Sequence, residues 1–269
     1  MIRLEGVRFR YPRGPEAVRG VTLSIEDGEF VGVVGHSGAG KTTLAKLIAG
    51  LLKPSEGRVL VDGMDTRFVP ASALARKVGY VFQNPEAMLF SATILDEVAF
   101  ALRNFGFPPS EVEGRVRAAL EKVDLRKPLS ASPHALSFGE KRRLAIACIL
   151  AMDPSVVVLD EPTTGLDYAR CLSLFETLRK LNEEGRTVIV ITHDTDLLAR
   201  FAERVIVLEA GAVVRDGPSR EVLSDVKFLR EHGFTPTQLQ VLASRLGAPA
   251  PTPSAVAETL ARAWARRAR

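Results

Sequence analysis

The stretch Phe30-Val31-Gly32-Val33-Val34-Gly35-His36-Ser37-Gly38-Ala39-Gly40-Lys41-Thr42-Thr43 decides the fold. Residues 30–34 form an apolar run without alternation, the pattern of a strand buried on both faces. Residues 35–42 fit G-x-x-x-x-G-K-[ST], and an apolar periodicity follows at Leu44, Leu47 and Ile48. Strand, loop and helix in that order are the context a phosphate-binding loop requires. Gly35, Gly38 and Gly40, with Ser37 between them, let backbone N–H groups converge on phosphate oxygens, and the helix N-terminus adds favourable partial charge. Lys41 is placed to reach the β- and γ-phosphates of a nucleotide. Thr42 is placed to ligate Mg²⁺, with Thr43 beside it. His36 occupies a variable position of the loop and receives no catalytic role.

Working outward, residues 78–82, 156–159 and 187–192 repeat the apolar, β-branched pattern, with helical stretches between. Strands alternating with helices predict an α/β protein with a mainly parallel sheet. Residues 205–208 and 212–215 read as a hairpin across Glu209-Ala210-Gly211. The first 28 residues are β-rich and predict a small antiparallel layer. Between 84 and 152 the strand signal disappears. Helices are expected at 93–104, 109–123 and 140–152, a helical subdomain inserted at about 84–153. Beyond Gly217 one helix is expected at 220–232. Thr235-Pro236-Thr237-Gln238 reads as a capping box. Leu239, Leu242, Ala243 and Leu246 then share one apolar face. A Pro-rich linker at 247–253 leads to a last short helix. The expected division is 1–217 and a C-terminal helical extension, 218–269, as a candidate dimerisation element.

The chain has 269 residues, 46% of them apolar, ample for a buried core. The net charge is +4, and Arg262, Arg266, Arg267 and Arg269 account for it within the last eight residues. The rest is neutral, which argues against nucleic acid as a partner. Two cysteines, Cys148 and Cys171, cannot make a disulfide framework and read as reduced, buried thiols. The longest apolar run, 144–152, is too short to span a bilayer. The segment Met-Ile-Arg-Leu-Glu-Gly lacks the apolar core of a signal peptide. Any membrane spanning is expected from another chain.

The strand at 156–159 ends in Asp160-Glu161. Asp160 can hold Mg²⁺, and Glu161 can take the proton from an attacking water. Gln83 and His193 end two further strands. In open α/β sheets ligands bind beyond the carboxyl ends of the strands, so Gly35, Gln83, Asp160 and His193 should share one rim. Gln83 could sense the γ-phosphate through water or metal. His193 could bond that phosphate and orient Glu161. Ser137-Phe138-Gly139-Glu140 is a capping box with Ser137 as N-cap and Glu140 as third helical residue. An exposed helix N-terminus with Ser and Gly is itself a phosphate site.

Over residues 2–217 these motifs resemble the ATP-binding-cassette (ABC) ATPases, a P-loop NTPase family. Residues 35–43 look like Walker A and Gln83 like the Q-loop. Residues 136–140 resemble the LSGGQ signature and 156–161 Walker B. Gly165-Leu166-Asp167 resembles the D-loop, and His193 the switch histidine. Tyr11 looks like the aromatic that stacks on adenine. The signature here reads LSFGE. Ser137 and Gly139 are kept, while Glu140 adds a negative charge near a bound triphosphate. The resemblance implies ATP and Mg²⁺ as cofactors, with Glu161, His193 and Gln83 as catalytic residues. It also implies that each ATP lies between Walker A of one subunit and the signature of another, so a second cassette, identical or related, completes the site.

Gln83-Asn84-Pro85-Glu86-Ala87-Met88-Leu89-Phe90, followed by residues 93–100, resembles the energy-coupling-factor branch. That implies a transmembrane coupling subunit, a substrate-binding membrane subunit, and a place on the cytoplasmic face of the membrane. The branch usually has Asp and Gln where this chain has Glu86 and Met88. Glu86 would meet a basic group of the coupling subunit over an apolar floor of Met88, Leu89 and Phe90. The other readings are the ATPase of another ABC transporter class, a nucleotide-gated scaffold, or an ABC protein acting on nucleic acid or ribosomes.

Overall fold

The computed structural model describes residues 1–249 and 251–267, without the side chains of Arg266 and Arg267. The basic character expected at Arg266, Arg267 and Arg269 therefore lies outside the described residues.

Strands β1 (Ile2–Arg10) and β2 (Glu16–Ile25) open the chain, followed by β3 (Phe30–Gly35) and helix α1 (Lys41–Ile48). Next come β4 (Glu56–Val61), β5 (Met64–Asp65), α2 (Ala71–Leu74) and β6 (Val78–Val81). The insertion holds α3 (Ile94–Asn104), α4 (Pro109–Lys122) and α5 (Phe138–Leu150). It is followed by β7 (Val156–Asp160), α6 (Tyr168–Glu183), β8 (Thr187–Ile191), α7 (Thr195–Phe201), β9 (Arg204–Glu209) and β10 (Ala212–Pro218). The chain then runs through α8 (Ser219–Val222), α9 (Val226–Glu231), α10 (Gln238–Leu246) and α11 (Pro253–Arg267).

The main sheet has the order β10-β9-β3-β8-β7-β6, parallel except for the β9–β10 hairpin. A second, antiparallel sheet has the order β2-β1-β4-β5. The non-alternating strands work as expected of a sheet covered on both sides. Phe30, Val34, Val81, Val157, Leu159, Val188 and Val190 face a core shared with α3–α7. Val31, Val33, Tyr80, Val156, Val158, Ile189 and Ile191 face α1 and the antiparallel layer. Helix α1 thus lies between the two sheets, and the phosphate loop at its start is held from both.

Register brings the strand ends level. Val33 of β3 and Asp160 of β7 both pair with Ile191 of β8, and Val81 of β6 pairs with Leu159. The residues that follow these ends are therefore set side by side on one rim.

The structure corrects several expectations. The antiparallel layer draws half its strands from 56–65, where Val59-Leu60-Val61 is the only apolar run. The helix expected at 220–232 is two helices. Asp225 breaks it and caps α9, accepting from Phe228 N at 2.9 Å. The capping box of α10 lies two residues later than expected: Thr237 and Gln240 make it, not Thr235 and Gln238. Of the expected apolar face, Ala243 is buried and Leu239 and Leu246 are half-buried, while Leu242 is 42% exposed and Gln240 is buried in its stead. The last helix runs 15 residues and is not short. Cys171 is buried but Cys148 only partly so.

Candidate functional site

Gly40 caps α1 at φ 98°, in the left-handed region, and a Cβ there would lie 2.3 Å from the Ala17 carbonyl oxygen. Only glycine fits that turn. It directs Lys41 back over the loop, where Nζ donates to the carbonyls of Gly35 (2.7 Å) and His36 (3.0 Å). Burial lowers the Lys41 pKa, and the carboxylates of Glu161 and Asp160 oppose that shift. A cation held by two carbonyls beside two carboxylates is ready to exchange those carbonyls for phosphate oxygens.

A cleft of about 490 Å³ opens over this loop. Its lining brings together Tyr11, Gly35, Ser37, Gly38, Gly40, Lys41, Thr42, Thr43, Gln83, Asp160, Glu161 and His193. Asp160 is 2% exposed. Its Oδ2 accepts from the Tyr80 hydroxyl at 3.0 Å, while Oδ1 is buried without a partner. Burial first, then Asp160, pushes the Tyr80 pKa well up, so the phenol stays a donor. Glu161 follows at φ 47°, its N–H donating to the Ile191 carbonyl at 2.8 Å. Its Oε2 accepts from His193 Nδ1 at 3.0 Å. The Glu161 carboxylate is largely shielded and the His193 ring largely exposed.

Tyr11 lies at the cleft edge, its hydroxyl 3.2 Å from Thr43 Oγ1 and its ring edge-on to Phe9. Ser137, Gly139 and Glu140 are not among the residues lining this cleft. They open α5, where Ser137 N and Oγ both donate to Glu140 Oε2 at 2.9 Å. Lys127 lies 3.0 Å from the same carboxylate. The Ser137 N–H and then Lys127 hold the Glu140 pKa down at about 2. Glu86 pairs with Lys141 of its own chain at 2.6 Å, so its basic partner is internal.

Several contributors are not evident from sequence. Tyr80 is read there only as strand, although it faces the same side of the sheet as the neighbouring carboxylate. The hydroxyls of Thr163 and Thr192 lie 3.3 Å apart beneath the loops carrying Glu161 and His193, and Thr192 Oγ1 accepts from Asp194 N at 3.1 Å. His36 is engaged by the C-terminal segment: Nε2 donates to the His232 carbonyl at 2.8 Å, and the ring stacks on Phe234.

A phosphate-binding loop, an acid pair and a histidine on the carboxyl rim of a parallel sheet define a nucleotide-hydrolysing P-loop cassette. Residues 18–164, more than half of the chain, match the model of the ABC transporter family. The energy-coupling factor transporter ATP-binding protein EcfA of Methanothermobacter thermautotrophicus is 43% identical over 248 residues, 91% of this chain and 80% of that protein. A putative ABC transporter ATP-binding protein of Methanosarcina acetivorans is 42% identical over 235 residues. That match spans 87% of this chain but only 38% of the relative's length.

Among solved structures, cbiO1 from Clostridium perfringens, described as part of the ABC transporter complex cbiONQ, superposes with TM-score 0.77 at 35% identity. It covers 86% of this chain and 93% of its own. A dimeric ATP-binding cassette in a post-hydrolysis state bound to ADP and Pi superposes with TM-score 0.74 at 35% identity, covering 82% of this chain and 99% of its own. The chain belongs to the ABC transporter family and is one of its ATP-hydrolysing cassettes.

Proposed function

We propose that this cassette energises a membrane importer of the energy-coupling-factor type, for uptake of a metal ion or a vitamin. The observation that carries this reading is the reach of the likeness to EcfA. At 248 aligned residues it extends beyond the 217-residue cassette into the C-terminal helices. The cbiO1 likeness supports the same branch. Phe90 and Phe100, 61% and 48% exposed, meet edge-on and offer apolar surface for a coupling helix of a membrane subunit. No helix among the described residues is long and apolar enough to cross a membrane, so the spanning chains are separate partners in this reading. No nucleic-acid partner is proposed.

In the mechanism, the phosphate loop and Lys41 bind the triphosphate of ATP. Glu161, oriented by His193, takes a proton from the attacking water as the water oxygen bonds the γ-phosphorus and the bond from that phosphorus to the β–γ bridging oxygen breaks, releasing ADP and phosphate. Gln83 and His193, both in the cleft lining, would face the γ-phosphate of a bound ATP. Asp160, Thr42 and Gln83 supply oxygen ligands suited to Mg²⁺, and the unpartnered Oδ1 of Asp160 fits that role. When bound, Mg²⁺ neutralises charge on the β- and γ-phosphates. In this reading Ser137 and Gly139 would meet the nucleotide of a second cassette, identical or related, and the dimeric state of the post-hydrolysis cassette supports pairing.

The test is recovery of the tagged chain from membranes of its own cells in mild detergent, with companion chains identified by mass spectrometry. The expected companions are a second cassette and at least one multi-span membrane protein. Recovery with no membrane protein would overturn the importer reading.

A further inference from the structure

Arg142, on α5, is 0% exposed, a guanidinium buried without a carboxylate against it. Its Nη1 donates to the Phe82 carbonyl at 3.3 Å and its Nη2 to the Thr164 carbonyl at 3.4 Å. Its Nε has no partner among the described residues. Burial lowers its pKa, and the fields of Asp160 and Glu161 oppose that. An apolar side chain would fill the space at lower desolvation cost. What the cation adds is its two acceptors. Phe82 immediately precedes Gln83, and Thr164 lies three residues after Glu161.

One helical turn earlier, Phe138 completes the arrangement. Its ring centroid lies 5.4 Å from the guanidinium carbon. The ring also lies against Gly165, which sits at φ 77° and where a Cβ would come within 3.0 Å of Phe138 Cε1. The departure LSFGE thus has a structural counterpart: aromatic ring and cation together grip the loop that follows the catalytic carboxylates.

We propose that Arg142 is a positioning residue for ATP hydrolysis, tying helix α5 to the backbone beside Gln83 and to the loop carrying Glu161. This rests on the hydrolytic reading above. The bonds are long and the Nε donor is free among the described residues, so the tie holds the loops while leaving them able to shift. Its effect falls on turnover, because none of its contacts reaches the phosphate loop that binds ATP.

The experiment compares Arg142→Met and Arg142→Lys with the wild type. It measures steady-state phosphate release against magnesium–ATP, fluorescent-nucleotide binding and thermal melting. Arg142→Met is expected to lower kcat about tenfold with KM within about twofold, and Arg142→Lys to recover kcat to within about threefold of wild type. An unimpaired Arg142→Met overturns the assignment. So does an equal loss in both variants accompanied by raised KM, which marks a space-filling role.

Should Met unfold the chain, Phe138→Gly removes the ring from Gly165 and is expected to lower kcat at unchanged KM; unchanged kcat overturns the assignment. Wild-type turnover beside an unimpaired Arg142→Met removes this assignment alone. A wild type that releases no phosphate when assayed together with the second cassette it co-purifies with removes it together with the hydrolytic reading.

Discussion

Glu161 sits at φ 47°, a left-handed conformation that costs a non-glycine residue free energy, and it does so where the chain turns from β7 into the cleft. The strain aims its carboxylate at His193, 3.0 Å away, rather than along the strand. In the proposed mechanism the pair acts as base and orienter, so removing the imidazole should spare binding. His193→Ala is expected to reduce phosphate release about 10²-fold while nucleotide affinity changes less than about twofold, measured by steady-state turnover and equilibrium titration. At this scale the chemistry was legible from the sequence, because Lys41, Asp160, Glu161 and His193 each end or follow an apolar run. The supports were not. Tyr80 and Asp160 are 80 residues apart and His36 and His232 are 196 apart. No local spacing announces such contacts.

Helix α5 shows how an element carries its own electrostatics. Glu140 closes the N-terminus, accepting from Ser137 N–H and Oγ with Lys127 beside it. Its pKa falls from an ordinary 4.5 to about 2. A depressed carboxyl pKa gives stability that is fully present above 4.5 and is lost as pH falls toward about 2. Glu140→Gln should therefore lower the urea midpoint at pH 7 and narrow its gap to wild type as pH falls through that window. An equal gap at pH 7 and pH 3 would contradict the assignment. The same capping box was readable in advance because Ser-x-x-Glu is a local signal. The box of α10 was misplaced by two residues because Thr235 and Thr237 offer equivalent spacings to Gln238 and Gln240, and burial of Gln240 selects the second. The strands β4 and β5 escaped for a different reason: elements of six and two residues carry too few apolar positions for periodicity to show.

At the scale of the molecule, two sheets grip α1 and one rim gathers the cleft, while the α5 N-terminus lies outside it. The parallel sheet and its helical insertion followed from non-alternating strands and a gap between them. The C-terminal helices followed in outline but their packing did not, because it depends on the body they pack on. Thr237 Oγ1 donates to Asp196 Oδ1 at 2.9 Å, and Phe234 stacks on His36. A cassette whose residues 136–140 are not among those lining its own cleft should, in this account, be drawn into a pair by nucleotide. With magnesium–ATP, the Glu161→Gln chain is expected to sediment as a dimer, with itself or with the second cassette it co-purifies with, and to separate when nucleotide is removed. Sedimentation velocity that shows no nucleotide-dependent association would contradict this.

The most direct test of the account is phosphate release by the Glu161→Gln chain beside the wild type, with nucleotide binding measured on both. The account predicts magnesium–ATP binding retained and turnover reduced by at least about 10²-fold. Release at the wild-type rate would contradict it, since the proton of the attacking water would then be leaving by another group.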